Sequence, residues 1–177
     1  MDFSYSEVQQ MLQDSVKKFV SKNYDFDTRS KIIESEAGYS KENWQLFAEL
    51  GWLAVPLSEE DGGLGGSAVD LMVMMEEFGK ANLVEPFLPS AVIGGSLVAE
   101  LATNDQKSQI LEKVVGGNLQ LAYASAETGS RFNVAKVAAS AEARGDDIVI
   151  NGKKIAVRNG PNADQLLVCA RERGGES

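Results

Sequence analysis

The sequence predicts an α+β fold in two parts: an all-α N-terminal domain over residues 1–117, then an incomplete, antiparallel β domain over residues 118–177. Three observations carry this prediction. Apolar residues recur at helical spacing, with capping residues and glycine stops, as far as Gly117. From Leu119 onward the apolar period changes to two. The strands that follow are too few to close a sandwich or barrel, and open sheet edges are a liability. The chain therefore reads as ending inside its second domain.

Ser4 with Glu7 fits a capping box and opens the first helix, whose apolar stripe is Val8, Met11, Leu12, Val16, Phe19 and Val20. Lys17, Lys18 and Lys22 lie late in it, where the helix dipole favours cations. Residues 23–40 are polar and poorly periodic and read mostly as loop. Ser40 caps a helix over residues 41–50 with Trp44, Phe47 and Leu50 as its buried stripe, and Gly51 stops it. Residues 52–56 form a short apolar connector. Residues 59–66, with glycine at 62, 63, 65 and 66, form a turn that needs unusual backbone angles. The turn lacks the Gly-x-Gly-x-x-Gly spacing and follows no strand, so it reads as structural rather than as a phosphate cradle.

Ser67 caps a helix running to about Asn82. Leu71, Met72, Met74, Met75 and Phe78 cover most of its circumference, which predicts burial on more than one side. Its methionines read as packing. Pro86 opens a helix that ends near Leu101. Residues 86–99 are almost uncharged and read as a buried helix, too short to span a bilayer. Thr103 with Gln106 caps the last helix, which Gly116 and Gly117 terminate.

Beyond Gly117, Leu119, Leu121 and Tyr123 alternate with Gln120, Ala122 and Ala124, a strand pattern. Residues 137–144 form a second strand. Residues 147–150 and 153–158 flank Asn151-Gly152, the strongest short hairpin signal. Residues 165–171 form the last strand. Glu127, at a strand end, reads as a hydrogen-bond anchor rather than a general base.

Composition removes several function classes. The chain has 177 residues, a net charge of −9 and no histidine. The missing histidine rules out His-based acid–base chemistry, Ser-His triads and His-ligated metals. Cys169, the only cysteine, lies in an apolar run and reads as a small core residue, with neither a disulfide nor a thiolate metal cluster available. No Lys/Arg cluster exceeds a pair, so neither nucleic acid nor an anionic membrane surface is an expected partner. A reducing cytoplasm fits these features.

The run Val55-Pro56-Leu57-Ser58-Glu59-Glu60-Asp61-Gly62-Gly63-Leu64-Gly65 is followed by Glu76-Glu77-Phe78-Gly79-Lys80-Ala81 and by Leu121-Ala122-Tyr123-Ala124-Ser125-Ala126-Glu127. Asn151-Gly152-Lys153-Lys154 and Arg158-Asn159-Gly160-Pro161-Asn162-Ala163-Asp164 complete the series. In this order they resemble the front of the acyl-CoA dehydrogenase family, across nearly the whole chain. The resemblance implies the family's helical N-terminal domain and the first part of its middle β domain. The family's C-terminal four-helix bundle is absent from this chain, and complete members are about twice as long. It also implies oxidation of an acyl-CoA thioester to the 2,3-enoyl-CoA with FAD as hydride acceptor, reoxidation by an electron-transfer flavoprotein, and a homo- or hetero-oligomer. In most members the carboxylate base lies on the bundle, so no catalytic residue is assigned here and the isolated chain is expected to be inactive.

Carried over by motif, the family's flavin contacts fall on Tyr123, Ser125, Ala126, Gly129, Ser130, Ala156 and Arg158. The acyl pocket falls on the helix bearing Phe87, Leu88, Ala91, Val92 and Ile93, for which plain core is an equal reading. The departures stand out. Ala126 replaces the usual threonine, Ala156 replaces an aromatic, Arg158 replaces a small hydroxyl residue, and the Glu127–Arg131 loop is shortened. Arg158 reads either as a contact to FAD phosphate or an acidic partner, or as a solvated residue. Around Ala156, the pattern Gly-x-Lys-x-x-Val-x-x-Gly resembles small subunits of the pimeloyl-CoA dehydrogenase type. These features leave three readings: a flavin-bearing dehydrogenase, a flavin-poor supporting subunit of a heteromer, and a non-enzymatic helical interaction module.

Overall fold

A computed structural model of the protein describes residues 4–131 and 133–173. Six α-helices precede the strands: α1 (Glu7–Asn23), α2 (Phe26–Glu34), α3 (Lys41–Glu49), α4 (Ala68–Lys80), α5 (Gly95–Leu101) and α6 (Asn104–Val115). Side-chain caps set most of the helix starts. Ser40 accepts from the Asn43 N–H at 3.1 Å, Ser67 from Asp70, and Thr103 from Gln106, each satisfying a first-turn donor.

The first helix starts two residues later than Ser4-x-x-Glu7 suggests. Ser6 and Gln9 form the capping box instead, the Ser6 hydroxyl accepting from the Gln9 N–H at 3.2 Å and Gln9 Oε1 from the Ser6 N–H at 3.0 Å. Val16 and Phe19 are buried, but Val8 and Met11 are exposed, so the buried stripe covers only the later turns. The expected loop at 23–40 contains α2, capped by Asp25, whose carboxylate accepts from the Thr28 N–H at 2.7 Å. None of its residues is fully buried, which explains why apolar periodicity gives no sign of it. Met72 and Leu50 are exposed, so α4 shows one face to solvent and the α3 stripe stops at Phe47.

The glycine-rich turn lies across the connector between α3 and α4. Leu64, Gly65 and Gly66 donate backbone hydrogen bonds to Ala54, Leu57 and Val55 at 2.8–2.9 Å. A Cβ on Gly63 would fall on the Leu57 carbonyl, and one on Gly66 would stand 2.5 Å from Val55 Cγ1. The turn's amides are committed to the protein itself, as a structural turn requires.

Two clusters form the core. Phe19, Phe47, Trp52, Phe78 and Phe87 pack ring to ring around Val16, Trp44, Met74 and Ala91. Phe47 sits at their centre, 5.1 Å from the Phe19 centroid, 4.9 Å from Trp52 and 5.7 Å from Phe78. Leu57, Val98, Leu111, Val114, Leu119 and Leu121 form the second cluster, which joins α5 and α6 to the first strand.

The predicted helix over 86–101 is wound in two ways. Phe87–Gly94 is a π-helix and α5 continues from Gly95. The wide turns bury Ser90 completely, and its hydroxyl accepts from the Leu121 N–H at 3.0 Å. A Cβ on Gly94 would stand 2.5 Å from Leu121 Cβ, so only glycine lets the strand lie this close.

The strands are β1 (Leu121–Ala124), β2 (Ser140–Arg144), β3 (Asp147–Asn151), β4 (Gln165–Val168) and β5 (Arg171–Glu172). β2 and β3 form the antiparallel hairpin, whereas β1–β4 and β2–β5 are parallel pairs. Leu121, Ala122 and Ala124 are all buried, so β1 is covered on both faces rather than alternating. The hairpin turns at Gly145-Asp146, with Gly145 at φ +63°, and not at Asn151-Gly152. Gly152 instead packs against Ala139, where a Cβ would meet the Ala139 Cβ at 2.5 Å. Residues 153–158 are an irregular segment rather than a strand. The expected strand at 165–171 breaks at Cys169-Ala170, where the chain leaves β1 for β2: Cys169 donates to Ala124 and Arg171 to Ala139. Cys169 is half-buried. Among the described residues no helix is long and apolar enough to cross a membrane.

Candidate functional site

The end of β1 and the irregular segment meet. The Ile155 N–H donates to the Ala126 carbonyl at 2.9 Å, which brings the segment holding Tyr123, Ser125, Ala126, Gly129 and Ser130 beside the one holding Ala156 and Arg158. The Asn159 amide, two residues into the following turn, donates to Gln120 Oε1 and to the Leu121 carbonyl, both at 3.2 Å. This fixes the far end of the irregular segment on β1.

The predicted residues differ in what they have left to offer. Tyr123 is half-buried and lines an apolar groove with Leu97, Val98, Ile110, Leu167 and Cys169. The Ser125 hydroxyl and the N–H groups of Ser125 and Ala126 make no hydrogen bond among the described residues. Ser130 is buried. Its hydroxyl donates to the Glu127 carbonyl at 2.9 Å and accepts from the Glu127 N–H at 3.1 Å, closing the turn internally. Gly129 is exposed. Ala156 is exposed with φ +51°, a left-handed conformation that Ala adopts only under constraint. Arg158 is exposed and has no ion-pair partner among the described residues.

Beneath this ledge lies a buried ion pair. Glu127 Oε1 is 2.8 Å from Lys154 Nζ, both side chains being more than nine-tenths buried. Glu127 also accepts from the N–H groups of Ala138 at 2.7 Å and Ala139 at 2.9 Å. Lys154 and these two amides hold its carboxyl down at about 2. A carboxylate so held is an anchor and a poor proton acceptor. Lys154 also donates to the Ser125 carbonyl at 3.2 Å. Lys154 falls within the Asn151–Lys154 motif, but nothing local pairs it with Glu127, which lies 27 residues away.

Four of the five predicted acyl-pocket residues separate in space. Phe87 and Leu88 line an open cleft of about 560 Å³ with Met75, Leu83, Asn159 and Asn162. Ala91 is fully buried in the aromatic cluster, and Val92 packs against that cluster; neither lines the cleft. Phe87 belongs to both, its ring 5.2 Å from Phe78.

A flavin offers carbonyl oxygens and ring nitrogens along one edge and a flat apolar face. The free hydroxyl and amides of Ser125 and Ala126 suit that edge, and Arg158 suits a phosphate. No aromatic stands at position 156 to cover the face. The donor set therefore fits FAD, with a weaker stacking surface than the family's.

Residues 6–118 match the family model described as acyl-CoA dehydrogenase, N-terminal domain. The acyl-CoA dehydrogenase FadE12 of Mycobacterium tuberculosis is 32% identical over 171 residues, covering 96% of this chain and 43% of FadE12. A chain of the ChsE4-ChsE5 complex from Mycobacterium tuberculosis superposes with a TM-score of 0.85 at 26% identity, covering 98% of this chain and 44% of that one. The FAD complex of PigA gives a TM-score of 0.86 at 27% identity, covering 99% and 46%. The chain thus spans less than half the length of these relatives.

Proposed function

The chain belongs to the acyl-CoA dehydrogenase family, and on that premise we propose that it forms part of an oxidoreductase converting an acyl-CoA thioester to the 2,3-enoyl-CoA. The observation that carries this reading is the convergence of the two segments at the Ala126–Ile155 hydrogen bond, with the donors of Ser125 and Ala126 left free. FAD, when bound there, supplies the hydride acceptor. Ser125 and Ala126 would hold its polar edge, and Arg158 would balance its negative charge. The cleft beside Phe87 and Leu88 would take the acyl chain. Glu127 takes no proton in this scheme, because its carboxylate is buried and held far below neutrality. The division at residues 117 and 118 assigns the helices to packing and the acyl pocket, and the strands to the flavin. Partners are an electron-transfer flavoprotein as reoxidant and further subunits.

A second reading is a flavin-poor supporting subunit in a heteromeric dehydrogenase. The side chains at 126 and 156 favour it, as does the internal commitment of the Ser130 hydroxyl. The likeness to a chain of the two-protein ChsE4-ChsE5 complex is in keeping with it.

The test is the flavin absorbance of the protein bearing this chain, purified alone and with any co-expressed sister subunit. A flavin band in the lone protein, bleached by an acyl-CoA, supports the first reading. A colourless protein that gains flavin and activity only with its sister supports the second. A protein that stays colourless and inactive in both preparations overturns both.

A further inference from the structure

We propose that Lys154 positions and polarises the Ala126 N–H, making it the donor that stands in for the side-chain hydroxyl missing at position 126. This inference rests on the flavin reading above. A peptide group links the Ser125 carbonyl to the Ala126 N–H, so a cation on the oxygen draws electron density away from the nitrogen. Lys154 Nζ lies 3.2 Å from that oxygen. Its charge is not dispersed into water, because the ammonium is more than nine-tenths buried, and Glu127 holds it in place at 2.8 Å. In a site of low dielectric such chained hydrogen bonds strengthen one another. The Ala126 N–H at the far end of this chain has no partner among the described residues, so it is available to a ligand. The neighbouring peptide is held separately, its Ala126 carbonyl accepting from the Ile155 N–H at 2.9 Å. Lys154 touches no ligand in this arrangement. It acts through Ala126 and is a positioning residue.

The experiment is amide NMR of the 177-residue chain, free and titrated with FAD, in the native form and in Lys154→Met and Lys154→Arg. A double variant, Glu127→Gln/Lys154→Met, removes both charges and guards against unfolding around a lone buried carboxylate. The expected result is an upfield move of the Ala126 amide proton in both methionine variants. The Ile155 and Cys169 amides, bonded to neighbouring carbonyls, stay in place, and Lys154→Arg restores the native position. FAD binding, read from the titration, weakens roughly threefold to tenfold in the methionine variants. An unmoved Ala126 resonance overturns the proposal. So does a shift shared equally by residues 121–126 and 154–158, which marks a purely structural role. If FAD perturbs no amide of residues 123–130 in the native chain, the flavin reading fails, while the selective Ala126 shift still decides whether Lys154 polarises this peptide.

Discussion

The helical and strand regions are held together by different physics. In the helical region Phe47 and Trp52 are essentially inaccessible, and five aromatic rings interlock. In the strand region Ile148 and Leu166 are more than half exposed, and none of the described residues beyond Ala139 is fully buried. Apart from β1, which lies in the second apolar cluster, its order comes from directional contacts: Ser90 on Leu121, Asn159 on β1, Asp164 on Gln120, and the Glu127–Lys154 pair. Apolar burial is non-directional and tolerates small displacements, whereas a hydrogen bond is lost when its partner moves by an ångström. The strand region therefore keeps its geometry only while the helical region presents the right groups at the right height.

Phe47→Ala should have the largest effect, about 3–5 kcal/mol of lost stability, because its ring is the hub of the cluster. Thermal denaturation followed by circular dichroism should show both regions melting together. Gly94→Val should cost about 1–3 kcal/mol by forcing Leu121 away. Hydrogen exchange should then quicken in β1 and β4 while α1 and α3 stay protected; uniform loss would break the comparison.

Acid and alkali should separate the regions further. The Glu127 carboxyl sits at about 2 in the fold against an ordinary 4.5, so the folded state binds fewer protons than the unfolded one. Its contribution is complete above about pH 4.5 and disappears as pH falls toward 2, and exchange at Ala138 and Ala139 should report the loss. The lowered carboxyls of Asp25, Glu42 and Asp70 at helix starts lie in solvent, where screening makes their contribution small. On the alkaline side burial pushes the Tyr24 phenol upward, its hydroxyl donating a hydrogen bond to Glu85 at 2.7 Å. That contribution is complete below pH 10 and is lost as pH rises through the raised value, so alkali should first loosen the contact between the end of α1 and residues 84–85. Asn162→Ala, which removes the hydrogen bond to the Ala37 carbonyl, should have the smallest effect, about 1 kcal/mol or less.

What was legible in the sequence follows the same division. Helices with a capping side chain and an apolar stripe, such as α3, α4 and α6, could be read within two residues, because cap and stripe are both local signals. Ser4-Glu7 places the start of α1 two residues early, because Ser6-Gln9 fits the same box and forms it, and α2 has a cap without a buried stripe. Among the strands, the Asn151-Gly152 turn signal was overridden by packing on Ala139, while Gly145-Asp146 made the turn. The flavin-facing segments could be placed in sequence but not in space. The bond that joins them, and the lysine beneath them, depend on groups nearly thirty residues apart.

The parallel pairing of β1 with β4 also bears on how this molecule comes into being. As the polypeptide leaves the ribosome, every helix is available before β1, and the aromatic cluster can close on its own. β1 then has Ser90 and Gly94 to dock on but no strand beside it until Gln165–Val168 is made, about forty residues later. During that interval its open edge is the exposed surface most prone to pairing with a neighbouring nascent chain. The π-helical turns that receive Leu121 precede it in the chain and, in the folded state, cover one face of that strand.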